Sequence, residues 1–429
     1  MSTVVTARPS AKVAKPPKAA ARVVSMDQFR GFTVLGMFAV QYSGVFPHGN
    51  DVTVLRHNNT YLSFADTVLP AFLFASGFAL RLTMLRRLAD RGPAFAYGRA
   101  VRRALLLIVL LQLLMFSRWA PRVGDMFRSK GTAAALDLLL KGSMWESLSV
   151  IGLVTLWTLP VIAASTRVRV TFLLGGLVVH AVLSQLFYFD YLYGRPNWLD
   201  SWLGATGEMG YEGGFLGALT WSVPFLVGSL AYDLIALGQP RRTFRVLLGW
   251  SAALLLAGYG LSCLANLYPL ARTPTKLEYE LVEAGDIAAS PVVPPAGTWR
   301  AIDFRSLPGI PPLVQPPAER QRQLNYWLMS KRVVTASFAV AATGCVMGVY
   351  ALFVLLCDVG SLRLGLLRTF GQNPLATYIL HLFILNPLVR ALWPNDSNTL
   401  LALGHCLLWF ALTYGCVRFL ESRRLYLRL

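Results

Sequence analysis

The chain has few charged residues and few cysteines for its length. Only 14% of its 429 residues are Asp, Glu, Lys or Arg, while 55% are hydrophobic, which is too apolar for a soluble protein of this size. The 5 cysteines include no Cys-x-x-Cys pair, so neither a disulfide framework nor a metal site is indicated. Acidic residues number 21 against 40 Lys and Arg. Because the basic residues form short scattered clusters, their excess does not predict a nucleic-acid partner.

Long apolar runs dominate what the sequence does contain. A helix of about 20 apolar residues crosses a hydrocarbon core of roughly 30 Å, and on that template about ten transmembrane spans are predicted. The fold class is therefore an all-α polytopic membrane protein. The predicted spans are residues 28–46, 63–80, 104–119, 147–164, 170–188, 214–236, 246–264, 334–357, 373–392 and 399–417.

The distribution of charge predicts the orientation. With both termini in the cytoplasm, basic clusters such as 86–103 and 418–428 lie on the cytoplasmic side, as the positive-inside rule expects. Residues 1–24, which are basic and rich in Ala and Pro, are predicted to be a disordered tail. Residues 25–429 then form one domain, and a bacterial inner membrane is the predicted location.

Residues 265–331 are predicted to form a long extracytoplasmic loop within this domain. They hold ten of the 24 prolines, a density that favours an extended segment over a second globular unit. The loop either covers an outward-facing site or is an inert tether.

Two ionisable residues beside the first outer loop are the first candidates for chemistry. His57 lies in that loop, and Asp66 follows at the start of the second span. A histidine oriented by a carboxylate is the usual general base, so both are predicted to be catalytic. Plainer interpretations stay open, because a lone loop histidine is usually just solvated and Ser-x-x-Asp at 63–66 is also a capping signature.

Basic residues at the cytoplasmic ends of the spans are candidates for binding an anion. Asp27 and Arg30 are three residues apart and so share one face of the first span. They form either an interfacial ion pair or a site where Arg30, held by Asp27, binds a phosphate. Arg102 and Arg103 lie at the same side, at the start of the third span.

Four more polar residues are predicted to support the site. Gln41 lies late in the first span, Glu212 precedes the sixth, and Asn373 and His381 belong to the ninth. Asn373 before Pro374 also fits an ordinary helix N-cap. A histidine inside a span is either hydrogen-bonded within the bundle or functional.

With these residues in view, the chain resembles the heparan-α-glucosaminide N-acetyltransferase family of membrane acyltransferases and its bacterial relatives. Residues 25–31 resemble the family's Ser-x-Asp-x-x-Arg-Gly, and residues 66–77 its Asp-x-x-x-Pro-x-Phe-x-Phe-x-x-Gly. Residues 212–217 resemble its Glu-Gly before a Gly-rich span, 335–337 its Thr-x-Ser, and 371–378 its Gly-x-Asn-x-Leu-x-x-Tyr. These five motifs occur in order along nearly the whole chain after residue 24.

The resemblance implies transfer of an acyl group, an acetyl group above all, from cytoplasmic acyl-CoA across the bilayer to a sugar amine or hydroxyl. His57 corresponds to the family's outer-loop histidine, which would act as base or as nucleophile. The CoA phosphates would lie among Arg30, Arg102 and Arg103, with no metal. Expected partners are membrane lipid and an amino-sugar or glycan acceptor, and a homodimer is one assembly that the sequence allows.

The chain departs from the family pattern in the first loop. The family's His-Ala-x-Trp reads His-Asn-Asn-Thr-Tyr from His57, and Gln41 stands where the family often carries asparagine. The alternative from another class is a transporter or flippase for a glycan or lipid precursor, which would move its substrate without CoA. O-acyltransferases of surface polysaccharides typically carry their histidine within the first span, and no histidine occurs between Arg30 and Phe46 here.

Overall fold

The computed structural model describes residues 23–43, 53–204, 208–268, 290–300, 305, 307–309, 311–314, 324–392 and 399–427. These residues are mostly helical and contain no β-strand, which confirms the predicted all-α fold. We number the helices of six residues or more. They are α1 (Val24–Ser43), α2 (Ala65–Arg91), α3 (Pro93–Lys130), α4 (Thr132–Gly142), α5 (Ser147–Ile162), α6 (Thr166–Leu192), α7 (Trp198–Leu203), α8 (Gly214–Ile235), α9 (Pro240–Leu267), α10 (Ala336–Val359), α11 (Gly365–Gln372), α12 (Pro374–Ala391) and α13 (Thr399–Ser422).

Eight of the described helices are long and apolar enough to cross a membrane, namely α2, α3, α6, α8, α9, α10, α12 and α13. Helices α4 and α5 meet at 87° and make a ninth candidate if they form one broken span. Each of the ten predicted spans contains a helix, but α1 stays outside the set of eight. Its Asp27 and Gln28 side chains are buried against other helices, so α1 is polar where it packs. The protein is an integral membrane protein, and the direction in which it crosses the membrane remains a prediction.

Close backbone contact fixes α2 against α8. A Cβ atom at Gly77 would lie 1.8 Å from the Phe225 carbonyl oxygen, and one at Gly228 would lie 2.0 Å from the Phe74 carbonyl oxygen. Only glycine fits at such positions, and small residues let membrane helices approach this closely. Because Asp66 lies at the start of α2 and Glu212 just precedes α8, this contact holds the two carboxylates at the same end of the bundle.

A partly buried ionic group ties the opposite end of the same helices together. Arg81 on α2 donates from Nε to Asp233 Oδ1 on α8 at 3.0 Å, and Arg169 on α6 pairs with the other oxygen of Asp233. The Arg169 side chain is fully buried and also donates to Ser229 Oγ at 2.7 Å. Removing the shared carboxylate would leave two arginines without their counter-ion, so this group locks the three helices together.

Parts of the proline-rich segment 265–331 lie against the bundle. The Leu313 amide donates to the Leu62 carbonyl at 2.9 Å, and Tyr326 is hydrogen-bonded to His180 of α6 at 3.0 Å. Leu62 directly precedes Ser63, so the segment reaches the start of α2. Residues 269–289 and 315–323 of the segment lie outside the described residues, as does most of the predicted tail 1–24.

Candidate functional site

His57 and Asp66, predicted from the sequence, form a hydrogen-bonded pair between α1 and α2. The His57 Nδ1 atom lies 2.9 Å from Asp66 Oδ1. Asp66 is fully buried, whereas 44% of the His57 side chain is exposed. One member of the pair is therefore shielded from solvent and the other is accessible to it.

The second carboxylate oxygen of Asp66 anchors the loop that carries His57. Oδ2 accepts from Ser63 Oγ at 2.9 Å, from the Ser63 amide at 3.2 Å and from the Asn58 amide at 3.3 Å. Both sequence interpretations of Asp66 therefore apply. Oδ2 accepts from Ser63 as a capping residue does, and Oδ1 orients His57. Because an ionised carboxylate only accepts, Nδ1 of His57 is the donor in this contact. In a neutral imidazole with its hydrogen on Nδ1, the lone pair is on Nε2.

A buried ion pair lies beside His57. Lys331 Nζ is 2.7 Å from Glu212 Oε1 and 3.4 Å from each ring nitrogen of His57. The Lys331 and Glu212 side chains are only 9% and 4% exposed. Burial disfavours the Lys331 ammonium, but the adjacent Glu212 carboxylate more than offsets this, so the pKa of Lys331 lies above its ordinary value. Lys331 is therefore a fixed positive charge at the site.

The backbone at Glu212 explains its Glu-Gly sequence. Glu212 has a φ of 49° and Gly213 a φ of 80°, a left-handed turn that costs energy for any residue with a Cβ. The Gly213 amide donates to the Arg332 carbonyl at 2.9 Å, and Trp221 Nε1 donates to the Glu212 carbonyl at 2.9 Å. These bonds hold the Glu212 carboxylate beneath Lys331.

Asn59 joins the two loops that carry His57 and Lys331. Its Oδ1 accepts from the Arg332 amide at 3.1 Å and from Ser330 Oγ at 3.5 Å. Glu146, just before α5, lies within electrostatic range of Lys331 and Glu212. Sequence reasoning named Glu212 but missed Lys331, Asn59 and Glu146. The available signal was the basic pair 331–332 at the outer end of a predicted span, against the positive-inside trend.

The predicted anion-binding residues lie at the other end of the bundle. Arg30 Nη1 is 3.8 Å from Asp27 Oδ1, so these two form the predicted pair. Arg103 is half-buried and lies within electrostatic range of Arg30 and of Arg87. Arg87 was not predicted.

Arg102, in contrast, is exposed. Arg87 lies 21 residues along α2 from Asp66, a separation of roughly 32 Å at about 1.5 Å per residue. We call Arg30, Arg87 and Arg103 the arginine group.

Two of the predicted supporting residues are not linked to His57 by any described hydrogen bond. Gln41 is half-buried near the end of α1, and no hydrogen bond links it to the described part of the site. Asn373 occupies the N-cap position of α12 with Pro374 after it, as predicted, but its side chain does not cap the helix. It donates to the Leu425 carbonyl at 3.0 Å and accepts from the Leu427 amide at 3.1 Å, which holds the C-terminal segment against α12.

His381, the third, is packed among aromatic rings. It is fully buried, its Nδ1 donates to the Thr377 carbonyl at 2.8 Å, and it stacks on Trp409 with 5.7 Å between ring centroids. Phe38 of α1 packs against the His381 ring with 4.7 Å between the ring centroids. The structure therefore places His381 in the interface of α1, α12 and α13, apart from His57.

No cluster of three or more His, Cys, Asp or Glu residues suited to a metal ion occurs in the described part of the chain. No protein-family model matches the chain, and no curated protein matches it.

Proposed function

We propose that this protein is a membrane acyltransferase that moves an acyl group, an acetyl group in the first instance, from cytoplasmic acyl-CoA to a sugar amine or hydroxyl across the bilayer. The observation that carries the proposal is the His57–Asp66 pair, in which a buried carboxylate orients an accessible imidazole. The arginine group at the far end of α2 supplies a second, anion-binding site. The motifs that resemble the heparan-α-glucosaminide N-acetyltransferase family supply the reaction class.

The pair provides what acyl transfer to an amine or hydroxyl needs. Asp66 holds His57 in the tautomer with a free Nε2 lone pair and stabilises the imidazolium when Nε2 takes a proton. The imidazole either removes the proton of the attacking acceptor or attacks the acyl carbon itself. In both routes Nε2 is the reacting atom.

At the other end, the arginine group would hold the CoA phosphates. Guanidinium groups bind phosphate in bidentate fashion, and Asp27 fixes Arg30. Of the predicted pair Arg102 and Arg103, we assign only the half-buried Arg103 to phosphate binding, since Arg102 is exposed. The thioester would then reach His57 through the interior of the bundle.

The location and partners complete the proposal. A bacterial inner membrane would place acyl-CoA on the side of the arginine group and a glycan or amino-sugar acceptor on the side of His57. Membrane lipid surrounds the bundle, and a homodimer remains one candidate assembly. The transporter alternative would rely on the histidines inside the spans instead of on His57. These three, His180, His381 and His405, are all buried beside aromatic rings.

The experiment is acyl transfer by the purified protein in lipid, with acetyl-CoA and a panel of amino sugars and with products identified by mass spectrometry. Wild type is compared with His57→Ala and with the control Val54→Ala, an exposed position in the same loop. The proposal expects transfer by wild type and by the control, and none by His57→Ala. No transfer and no CoA binding by wild type, with uptake of a glycan precursor by vesicles, would instead establish transport.

A further inference from the structure

We infer that Lys331 is the cation that stabilises the negative charge on the thioester carbonyl oxygen during transfer at His57. This inference rests on the proposed function. It assigns a role to a residue that the sequence analysis did not name, and it follows from where the Lys331 ammonium lies.

The position of Lys331 Nζ leaves the reacting atom of His57 open. Nζ is 3.4 Å from both Nδ1 and Nε2. An atom on the lone-pair axis of Nε2 would be much farther from Nδ1 than from Nε2, so Nζ lies beside the ring and off that axis. Substrate can therefore approach Nε2 while its carbonyl oxygen points toward Nζ, which is the arrangement that an oxyanion site requires.

The negative charges around Lys331 keep it cationic, and they do not occupy all of its N–H donors. Glu212 holds one side of the ammonium at 2.7 Å, and the Tyr211 ring lies beneath it with Nζ 5.9 Å from the ring centroid. Asp66 and Glu146 add negative charge at longer range. An ammonium has three N–H donors. Among the described residues, Glu212 Oε1 is the carboxylate oxygen within hydrogen-bond distance of Nζ, and it occupies one of the three.

The chemical step uses this charge in a balanced sequence. The acceptor nitrogen forms a bond to the thioester carbon, the carbonyl π electrons move onto oxygen, and His57 Nε2 takes the N–H proton. The oxyanion, paired with Lys331, then re-forms the carbonyl and expels the thiolate of CoA. The thiolate takes the proton back from Nε2, so amide, free CoA and neutral imidazole result. If Nε2 attacks first, it bonds to the acyl carbon and expels the CoA thiolate. The acceptor nitrogen then attacks that carbon, the departing imidazole takes its N–H proton and passes it to the thiolate, and an oxyanion forms on the same carbonyl oxygen in both stages.

The rival explanation is that Lys331 only neutralises Glu212 and holds the loops together. A paired substitution separates the two. Lys331→Met leaves the Glu212 carboxylate buried without a cation, which destabilises the fold on either explanation. Lys331→Met/Glu212→Gln removes both charges and restores the balance.

We expect the double variant to recover the thermal stability that Lys331→Met loses. We also expect its kcat to stay about 100-fold to 1,000-fold below wild type, the usual effect of losing one oxyanion donor, while its Kd for acetyl-CoA is unchanged. A double variant with wild-type kcat would overturn the inference. Lys141→Met serves as a control, because Lys141 is fully buried with Asp137 and Asp200 but does not contact His57; its folded fraction should keep the wild-type kcat.

Restoring the charge gives an independent test. Lys331→Cys, alkylated with 2-bromoethylamine and checked by peptide mapping for modification at position 331, regains an ammonium of lysine length. We expect at least a tenfold recovery of kcat, against none for Lys331→Ser treated alike, which controls for the 5 native cysteines. Full modification without recovery would contradict the inference. Absence of transfer by wild type would refute the proposed function itself, so the two failures are distinguishable.

Discussion

Replacing Asp66 by asparagine should abolish turnover while leaving the protein folded. The two carboxylate oxygens have separate tasks. Among the residues that the structure describes, Oδ1 binds only His57, and Oδ2 receives the three donors from Asn58 and Ser63. In Asp66→Asn the amide oxygen takes the place of Oδ2, where only an acceptor fits. The amide NH₂ then faces His57 Nδ1 and donates to it. The hydrogen of the imidazole moves to Nε2, and the reacting atom loses its lone pair.

The expected magnitudes follow from these contacts. When the same exchange traps the wrong histidine tautomer in the Ser-His-Asp template, kcat falls about 10⁴-fold, equivalent to about 5.4 kcal/mol at about 1.36 kcal/mol per tenfold. The three bonds to Oδ2 change from charged to neutral, which should cost roughly 1–3 kcal/mol of stability. Turnover should therefore drop far more than stability.

The assay measures CoA release and acylated product by mass spectrometry, alongside thermal unfolding of the same preparation. Ser63→Ala is the matched control, because it removes one donor to Oδ2 and leaves the contact between Asp66 and His57 intact. It should lower stability by about 1 kcal/mol and turnover by less than tenfold. An Asp66→Asn protein that keeps a tenth or more of wild-type kcat would refute the tautomer argument.

Two further predictions concern helix packing and CoA binding. Gly77→Ala should lower the unfolding temperature, because the added Cβ would lie 1.8 Å from a carbonyl oxygen of α8 and overpacking costs about 1–3 kcal/mol. The control Gly98→Ala should leave the unfolding temperature unchanged, since nothing lies within 4 Å of its added Cβ. Equal unfolding temperatures for the two variants would contradict the close packing of α2 on α8. Arg103→Gln should raise the Kd for acetyl-CoA about tenfold or more, the loss of one charged hydrogen bond, whereas Arg102→Gln should leave it unchanged in isothermal titration. A larger rise in Kd for Arg102→Gln than for Arg103→Gln would contradict the assignment of CoA binding to the arginine group.

Apolar run length was enough to predict the fold, because every predicted span contains a helix. It was less informative about α1, whose buried Asp27 and Gln28 lower its hydropathy. High hydropathy identifies helices whose surface suits lipid. In contrast, α1 is packed against α11, where a Cβ at Gly31 would lie 1.9 Å from the Leu367 carbonyl oxygen. Polar helices inside a bundle are thus harder to recognise than those facing lipid.

The sequence also contained an unused signal about the arginines. Ala96, Ala100 and Ala104 are all buried on α3 and repeat every four residues, which marks the face toward the bundle. At about 100° per residue, Arg103 lies at the edge of that face and Arg102 nearly opposite it. This stripe of small residues therefore predicts that Arg103, and not Arg102, lies beside the packed face of α3.

The site could be predicted from the sequence only where its residues are close together along the chain. His57 and Asp66 are nine residues apart, so their contact was predictable from local order along the chain. Lys331 lies 274 residues from His57, beyond a long proline-rich segment, and only the packing of α2, α8 and α10 brings it to the pair. No local pattern encodes such a contact.

Sidedness is the most direct test of the central claim that the acyl group crosses the membrane. Radiolabelled acetyl-CoA is sealed inside proteoliposomes, and a membrane-impermeant amino sugar is added outside. The account predicts labelled product outside that requires His57 and is absent when acetyl-CoA and the amino sugar are both confined inside. Product that forms only when both substrates share one side would contradict transfer across the membrane.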